Sequence, residues 1–469
     1  MPTECSQDSF DFGTVAGRQV VVGFDGGSIT SDAGGLLLGA TDKAIGVVGR
    51  FAACFSDARK PELIEHSLET LVGQRLFGLA LGYEDLNDHD DLRHDPVMAV
   101  LAGKLEARRK DCAPVAGKST LNRLEQASRG GVGRYHKIGH DDRAIEALFV
   151  ELFLDARAKP PKQIVLDLDA TDDPLHGQQE GRFFHGYYDG YCYLPLYITC
   201  GRDLLAAKLR RSNIDGAAGA REEVERIVAQ IRARWPQVKI VIRADSGFCR
   251  DDLMSWCEDN RVDYVLGLAR NPRLVAQIRR ELVEARAEAR ATQRSARRFK
   301  DFAWETRDSW SRERRVIAKA EWTSGKANPR FIVTSLKRSR VSARFLYEKV
   351  YCARGDMENR IKECQIDMFA DRTPASTMRT NQLRLWFASM AYVLMCGLRR
   401  IALAGTELAE ATCGTIRRKL LKIGARATVS VRRIKLALTS ASPCRNIFAI
   451  AADRLVQAWP PPTAPRRAV

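Results

Sequence analysis

Paired cysteines are the first absence. The chain has 12 cysteines in 469 residues, scattered and with no Cys-x-x-Cys anywhere, which counts against a zinc ribbon and a disulfide scaffold. Reduced, buried thiols in a cytosolic protein are the expectation. The first thirteen residues, MPTECSQDSFDFG, hold three acids and no base, so they do not read as a secretory signal. The longest strongly apolar run, residues 385–398, is about four residues short of a membrane span and is followed by Arg399 and Arg400. It reads as a buried core helix. Nucleotide-binding glycine patterns are missing as well. The glycines of residues 18–38 fit neither GxGxxG nor a P-loop, and the stretch reads as a strand, a tight turn and a second apolar run. Gly117-Lys118-Ser119-Thr120 resembles the end of a Walker A motif, but Cys112 stands where that motif needs glycine. Ser119 or Thr120 as N-cap of the next helix is simpler. Calcium is excluded from the acidic loop at 82–96, because an EF-hand starting at Asp85 needs Gly and Glu where Asp90 and Pro96 stand. A solvated loop with Asp88 or Asp95 capping helices is the better reading.

Positive charge is what the chain has in excess. Seventy-five Lys and Arg against 58 Asp and Glu give +17 and a pI near 9.5, which points to a polyanionic partner. No basic amphipathic anchor stands out that would make this partner a membrane. A hydrophobic content of 45% and a charged content of 28% are those of a globular protein. Two stretches concentrate the charge. Residues 270–298 form a predicted helix with nine Arg against three Glu, and residues 397–436 carry ten Lys and Arg against two Glu in a quarter expected to be helical. Residues 51–153 are also mostly helical by periodicity.

Between these regions lie the predicted strands. Residues 163–173, QIVLDLDATDD, follow Pro160-Pro161 and read as a buried central strand that nevertheless carries acids. An unpaired charge in such a strand is costly, so the acids are expected at its solvent end with a cation. VKIVIRAD at 238–245 repeats the pattern, VDYVLGLA at 262–269 is another buried strand, and a helix is expected at 219–235. The order is β-β-β-α-β-α-β. Further strands are expected at 299–304, 315–322 and 330–335, before a helix entered from 347–364.

Asp169 and Asp245 end the first and fourth strands, 76 residues apart, and Glu358 follows 113 residues later on the helix. Three carboxylates on rigid elements can hold two hard divalent cations about 3.5–4 Å apart across a phosphate. Taken singly, each acid has a plainer role: the aspartates as turn or cap residues, and Glu358 as an i,i+4 surface pair with Lys362. Asp25 is a weaker strand-end rival. Asp167 shares the face of Asp169 but lies one residue pair deeper, as a structural acid.

Taken together, these residues resemble the ribonuclease H-like core of DDE transposases. Tyr351, Arg354 and Glu358 fit the Tyr-x2-Arg-x3-Glu signature of bacterial insertion-sequence transposases with a long insertion before the Glu. The segments GYEDLNDHDDLRHDP, LDLDAT, HGYYDGYCYLPL, RADSGF and RGDMENRIKE, between about residues 18 and 450, resemble the insertion sequence thirteen-eighty family. The resemblance implies that Asp169, Asp245 and Glu358 are catalytic and bind two Mg2+ ions, for which Mn2+ substitutes. It places Tyr351 and Arg354 at the phosphate. The signature lysine seven residues after the Glu is Gln365 here, and Lys362, one turn after Glu358, is the candidate substitute. In relatives the insertion offers an aromatic to a flipped base. Trp304, Trp310 and Trp322 lie in the corresponding stretch, and Trp310 is the likeliest of them to be exposed, although a core role is the commoner fate.

The fold so implied is an α/β ribonuclease H-like catalytic core with a β-rich insertion, flanked by helical N-terminal and C-terminal regions. The expected boundaries are 1–160 for a DNA-end-binding region, 161–270 for the first part of the core and 271–345 for the insertion. Residues 346–375 form the helix with the catalytic Glu, and 376–469 a basic helical region with a disordered tail. The implied activity is cut-and-paste transposition by phosphodiester cleavage and strand transfer. Its partners are double-stranded DNA, as terminal inverted repeats and target, and further copies of the chain on paired ends. The setting is the bacterial cytoplasm, at the nucleoid. A ribonuclease H-like nuclease and a catalytically silent DNA-binding protein derived from a transposase are the alternatives.

Overall fold

The computed structural model describes residues 9–129, 136–323 and 325–459. Asp141–Ser389 forms one compact unit; the chain up to His140 and from Met390 onward forms a second. Most of the expected N-terminal and C-terminal regions thus share one unit, while their parts at 141–160 and 376–389 fall in the other.

The Asp141–Ser389 unit is built on a nine-stranded sheet. Its strands are β1 (Gln163–Ala170), β2 (Leu196–Cys200), β3 (Asp203–Lys208), β4 (Lys239–Ala244), β5 (Asp263–Leu268), β6 (Ala296–Trp304), β7 (Arg314–Thr323) and β8 (Arg330–Thr334). They lie in the order β3-β2-β1-β4-β5-β8-β7-β6, with Lys326–Ala327 paired on β7. β1, β4 and β5 run parallel at the centre, while β2 and β8 pair antiparallel on either side. The expected succession of five strands is therefore present. The stretch expected as a separate insertion is continuous with it, because β5 would otherwise be an exposed edge and β8 pairs with it.

Strand parity fixes what each face of the sheet does. Even-numbered residues of β1 and β4 (Ile164, Leu166, Leu168, Ile240, Ile242) enter the main core, with Val224, Ile227, Val228 and Ile231 of α1 (Ala220–Arg234). That 224-227-228-231 spacing is one helical face, and each buried aliphatic chain contributes about 1.5–3 kcal/mol. Odd-numbered residues face the other way. Val165, Val241 and Val265 pack under Leu346 and Tyr347, so the acids of β1 share a face with the segment that brings Tyr351, Arg354 and Glu358. That segment is an irregular helix. A π turn at Leu346–Tyr351 and a 3-10 turn at Cys352–Arg354 lead into α2 (Gly355–Lys362), and a second π turn follows at Glu363–Asp367.

In the other unit, Leu68–Leu81, Pro96–Leu101 and Lys118–Glu125 are helices, and Asp95 caps the second through the amides of Val97 and Met98. Gly117, rather than Ser119 or Thr120, is the N-cap of the third, and Asp90 takes the Lys118 amide. The helical expectation for the C-terminal region fails at Ala425–Ser430 and Arg433–Leu438, which form an antiparallel hairpin. Along the first of these strands burial alternates, with Ala425 and Ala427 buried and Arg426 and Thr428 exposed, a period of two that the charge count does not reveal. The apolar run at 385–398 lies within the helix Met378–Leu398. With its continuation to Leu403 it is long and apolar enough to cross a membrane, but 83% of its most apolar window is buried in the protein.

Candidate active site

β1 and β4 are parallel neighbours with Leu168 opposite Ala244, so Asp169 and Asp245 come next along adjacent central strands. The Asp169 carboxylate accepts the Ala170 amide at 3.0 Å and Arg354 Nη1 at 3.1 Å. The second nitrogen of the fork, Arg354 Nη2, donates to Glu358 Oε1 at 3.1 Å. Arg354 thus bridges two of the three acids. Asp245 Oδ1 accepts the Gly247 amide at 2.8 Å, capping the turn Ser246–Phe248. The plain capping role weighed for this residue is real, and it engages one oxygen. Burial pushes the Asp169 carboxyl up to about 6; Arg354 opposes the shift, and the negative charges of Asp245 and Glu358 add to it.

Tyr351 reaches the same place. Its hydroxyl lies against Gly267 of β5, where a Cβ would come within 2.7 Å of it and of the Ser246 amide nitrogen. Burial raises the Tyr351 phenol above its ordinary range, Arg354 lowers it and Asp245 raises it. Three acids, one arginine and one phenol therefore interact electrostatically in one place.

Two arrangements hold the irregular helix to the sheet. Arg243 grips Asp167 through Nε and Nη2, at 2.5 and 2.7 Å, and donates from Nη1 to the Val350 carbonyl at 2.6 Å. Asp167 is thereby the structural acid expected of it. Gln365, in the lysine position, donates to the Asp172 carbonyl and to Asp173 Oδ1, both at 2.9 Å. Asp173 is fully enclosed, and burial pushes its carboxyl up to about 8 despite the Gln365 bond. Lys362 is exposed and makes no hydrogen bond or ion pair among the described residues; the partner of Glu358 is Arg354. Trp310 packs its half-buried ring against the main core with Arg314 above it at 5.6 Å, so the exposed role considered for it gives way to the core one. Buried Trp304 joins that core too.

Arg243 and Gly267 were not singled out from the sequence, although both left signals there. Arg243 and Asp167 are separated by 76 residues, the spacing of Asp169 and Asp245, so a parallel register pairs both sets at once. Gly267 interrupts an apolar strand, which marks a close backbone approach.

Magnesium and manganese take hard carboxylate oxygens, and a dication would offset the negative charges of Asp245 and Glu358 that add to the effect of burial on Asp169. The donor chemistry fits. The gathering does not follow directly, because among the described residues no three His, Cys, Asp or Glu side chains are grouped so as to hold an ion. Arg354 stands between Asp169 and Glu358 instead.

The family model described as "Transposase DDE domain group 1" matches residues 12–460. Among curated proteins, none is significantly similar. Among solved structures, a piggyBac transposase synaptic complex with hairpin DNA, determined by cryo-EM, has 11% sequence identity and a TM-score of 0.43, over 93% of this chain and 84% of that chain.

Proposed function

The chain belongs to the DDE transposase family, and from that premise we propose that it moves an insertion sequence by cut-and-paste transposition, on a ribonuclease H-like core. The observation that carries this reading is the bridging of Asp169 and Glu358 by Arg354, with Asp245 and Tyr351 close enough to interact electrostatically with them. Asp169, Asp245 and Glu358 would hold two magnesium ions, which when bound activate a hydroxyl and neutralise a leaving oxygen in phosphodiester exchange. Arg354 keeps the carboxylates in register while no ion is bound. Released from them, its fork matches the oxygens of a phosphate. Tyr351, fixed between Gly267 and the Asp245 turn, offers a hydroxyl to the same phosphate. The basic segments at 270–298 and 397–436 would hold DNA backbone.

In this reading water cuts the element's ends, the freed 3′ hydroxyl attacks target DNA directly, and no covalent protein–DNA intermediate forms. Insertion sequence thirteen-eighty is the proposed branch, the assembly a homo-oligomer on paired ends, and the setting a bacterial nucleoid. A plasmid carrying the gene with its native flanks tests this. Protein and magnesium should release the element and join it to a second plasmid, while Asp169→Asn, Asp245→Ala and Glu358→Gln do neither. Cutting by the variants at the parental rate would remove the site assignment. Cutting without joining would leave a nuclease. Binding without cutting would favour a silent DNA-binding protein.

A further inference from the structure

Phe183–His185 and Gly190–Tyr193 form a short antiparallel hairpin whose rings face solvent. Phe184 is 56% exposed, Tyr187 85% and Tyr191 45%. They form two pairs, Phe184 edge-on to Tyr191 at 5.7 Å across the strands and Tyr187 edge-on to Tyr188 at 5.0 Å at the turn. Exposed rings gathered in this way mark a binding surface more often than a structural one. Arginines accompany them. The Arg182 guanidinium lies 3.8 Å from the Tyr191 ring centroid, and its buried Nε has no partner. Its hydrogen bonds go to two neutral groups, the Gly177 carbonyl and the Gln178 side chain. Arg211 makes no ion pair among the described residues, and with Arg182, Gln178, Gln179 and Tyr191 it lines an open cleft of about 510 Å³.

The hairpin is tied to the acids. Tyr193 pairs with Asp173 and Cys192 with Pro174, within a few residues of Asp169. Tyr188 is near enough to Asp172 and Asp169 that their charges add to burial in holding its phenol up to about 12. Cationic groups without countercharges suit phosphates, and exposed ring faces suit bases, which stack without regard to sequence. A duplex hides its base faces; an unpaired strand does not.

We propose that the hairpin at 183–193 is a stacking platform for unpaired nucleotides of the DNA strand whose phosphate lies at Asp169 and Asp245, with Arg182 and Arg211 holding that strand's backbone. The proposal rests on the transposase reading and extends it to the form of DNA the site takes. The full chain, without metal, is titrated with a fluorescein-labelled single strand of about twenty nucleotides and with its duplex. The double variant Phe184→Ala/Tyr187→Ala should bind the single strand on the order of 5- to 150-fold more weakly per lost stack, and the duplex within about twofold of the parent. Both side chains are exposed, so the fold should be kept; an unchanged melting temperature checks this.

Unchanged single-strand affinity overturns the proposal. So does a parallel loss on both DNAs, or a change in oligomeric mass with DNA binding intact, which would make the rings a contact for a second copy. Magnesium-dependent cleavage separates the two readings. A parent that cuts while its variant binds single strands normally sinks the platform alone. A parent that prefers single strands through these rings yet never cuts sinks the transposase reading and keeps the platform. A parent that binds no DNA overturns both.

Discussion

Arg354 divides its guanidinium between Asp169 and Glu358, and that division makes the site ready to respond to a cation. Removing the arginine should ease metal entry while harming the chemistry. Arg354→Gln is expected to bind Mn2+ more tightly than the parent by electron paramagnetic resonance titration, and to cut DNA at least about tenfold more slowly, as loss of a charge-assisted contact implies. Faster cutting and weaker metal binding together would contradict the bridging role. Asp167 and Asp169 separate in the same way. Asp167→Asn leaves the Arg243 charge buried without its partner, at a cost of about 3–5 kcal/mol, yet folded protein should still cut. Asp169→Asn should fold and not cut. Urea unfolding and cleavage measured on the same samples would check both.

Asp173 gives a pH prediction. Its folded carboxyl is held up to about 8, above the ordinary value of about 3.9 for an unfolded chain. Between those two values the folded state holds a proton that the unfolded state has released. The stability contributed by this group is therefore full below about 4 and declines as pH rises toward 8. Asp173→Asn removes the titration while keeping an isosteric side chain. Its melting temperature relative to the parent should rise from pH 5 and level off above about pH 8; a flat difference would mean that Asp173 is already ionised.

At the scale of elements, β1, β4 and β5 meet the irregular helix through few and specific contacts. Gly267 is the most exacting of them, since any side chain there meets the Tyr351 hydroxyl and the Ser246 amide at 2.7 Å, and the Asp245 carbonyl carbon at 3.0 Å. Two of these three atoms are backbone and cannot turn aside. Gly267→Ala should cost about 1–3 kcal/mol of stability by overpacking and should reduce cleavage further by displacing Asp245 and Tyr351. Gly267→Ala/Tyr351→Phe relieves only the hydroxyl clash, so it should regain stability in part and activity not at all. Differential scanning calorimetry beside a cleavage assay reads both. Two hydrogen-bonded ties keep the helix in place from opposite ends, Arg243 at Val350 and Gln365 at Asp173. A glutamine suits the second tie because its neutral amide donates to both the Asp172 carbonyl and Asp173 Oδ1.

Across the whole molecule, the excess of +17 sets a salt dependence. If the basic segments neutralise about six to ten phosphates, affinity for duplex DNA should fall by roughly 10³–10⁵ between 50 and 200 mM salt. Fluorescence anisotropy across that range checks it, and a flat response would argue against a DNA partner. In the C-terminal quarter, charge does not report secondary structure. Arg426, Arg433 and Lys435 are residues of the hairpin strands, so the basic residues counted there record a solvated β surface as readily as a helical one.

The sequence by itself determined the strands that carry the acids, because each is a short apolar run bounded by turn signals, and period-2 alternation sets Asp167, Asp169, Arg243 and Asp245 on one face whatever their neighbours are. It also carried the Tyr351, Arg354 and Glu358 spacing, which is local to one helical segment. What only the tertiary structure decided is which strand lies beside which. Pairing partners are not encoded in the periodicity of a single strand, so the joining of β8 to β5, which merges the expected insertion with the core sheet, could not be read in advance. The same holds for Gln365 on Asp173 and for the Gly267 contact with Tyr351, where residues far apart in sequence meet only after the sheet is ordered. The acids' relation to a cation belongs to that level too: alternation put Asp169 and Asp245 on one face, and packing brought Glu358 over it with Arg354 between Asp169 and Glu358.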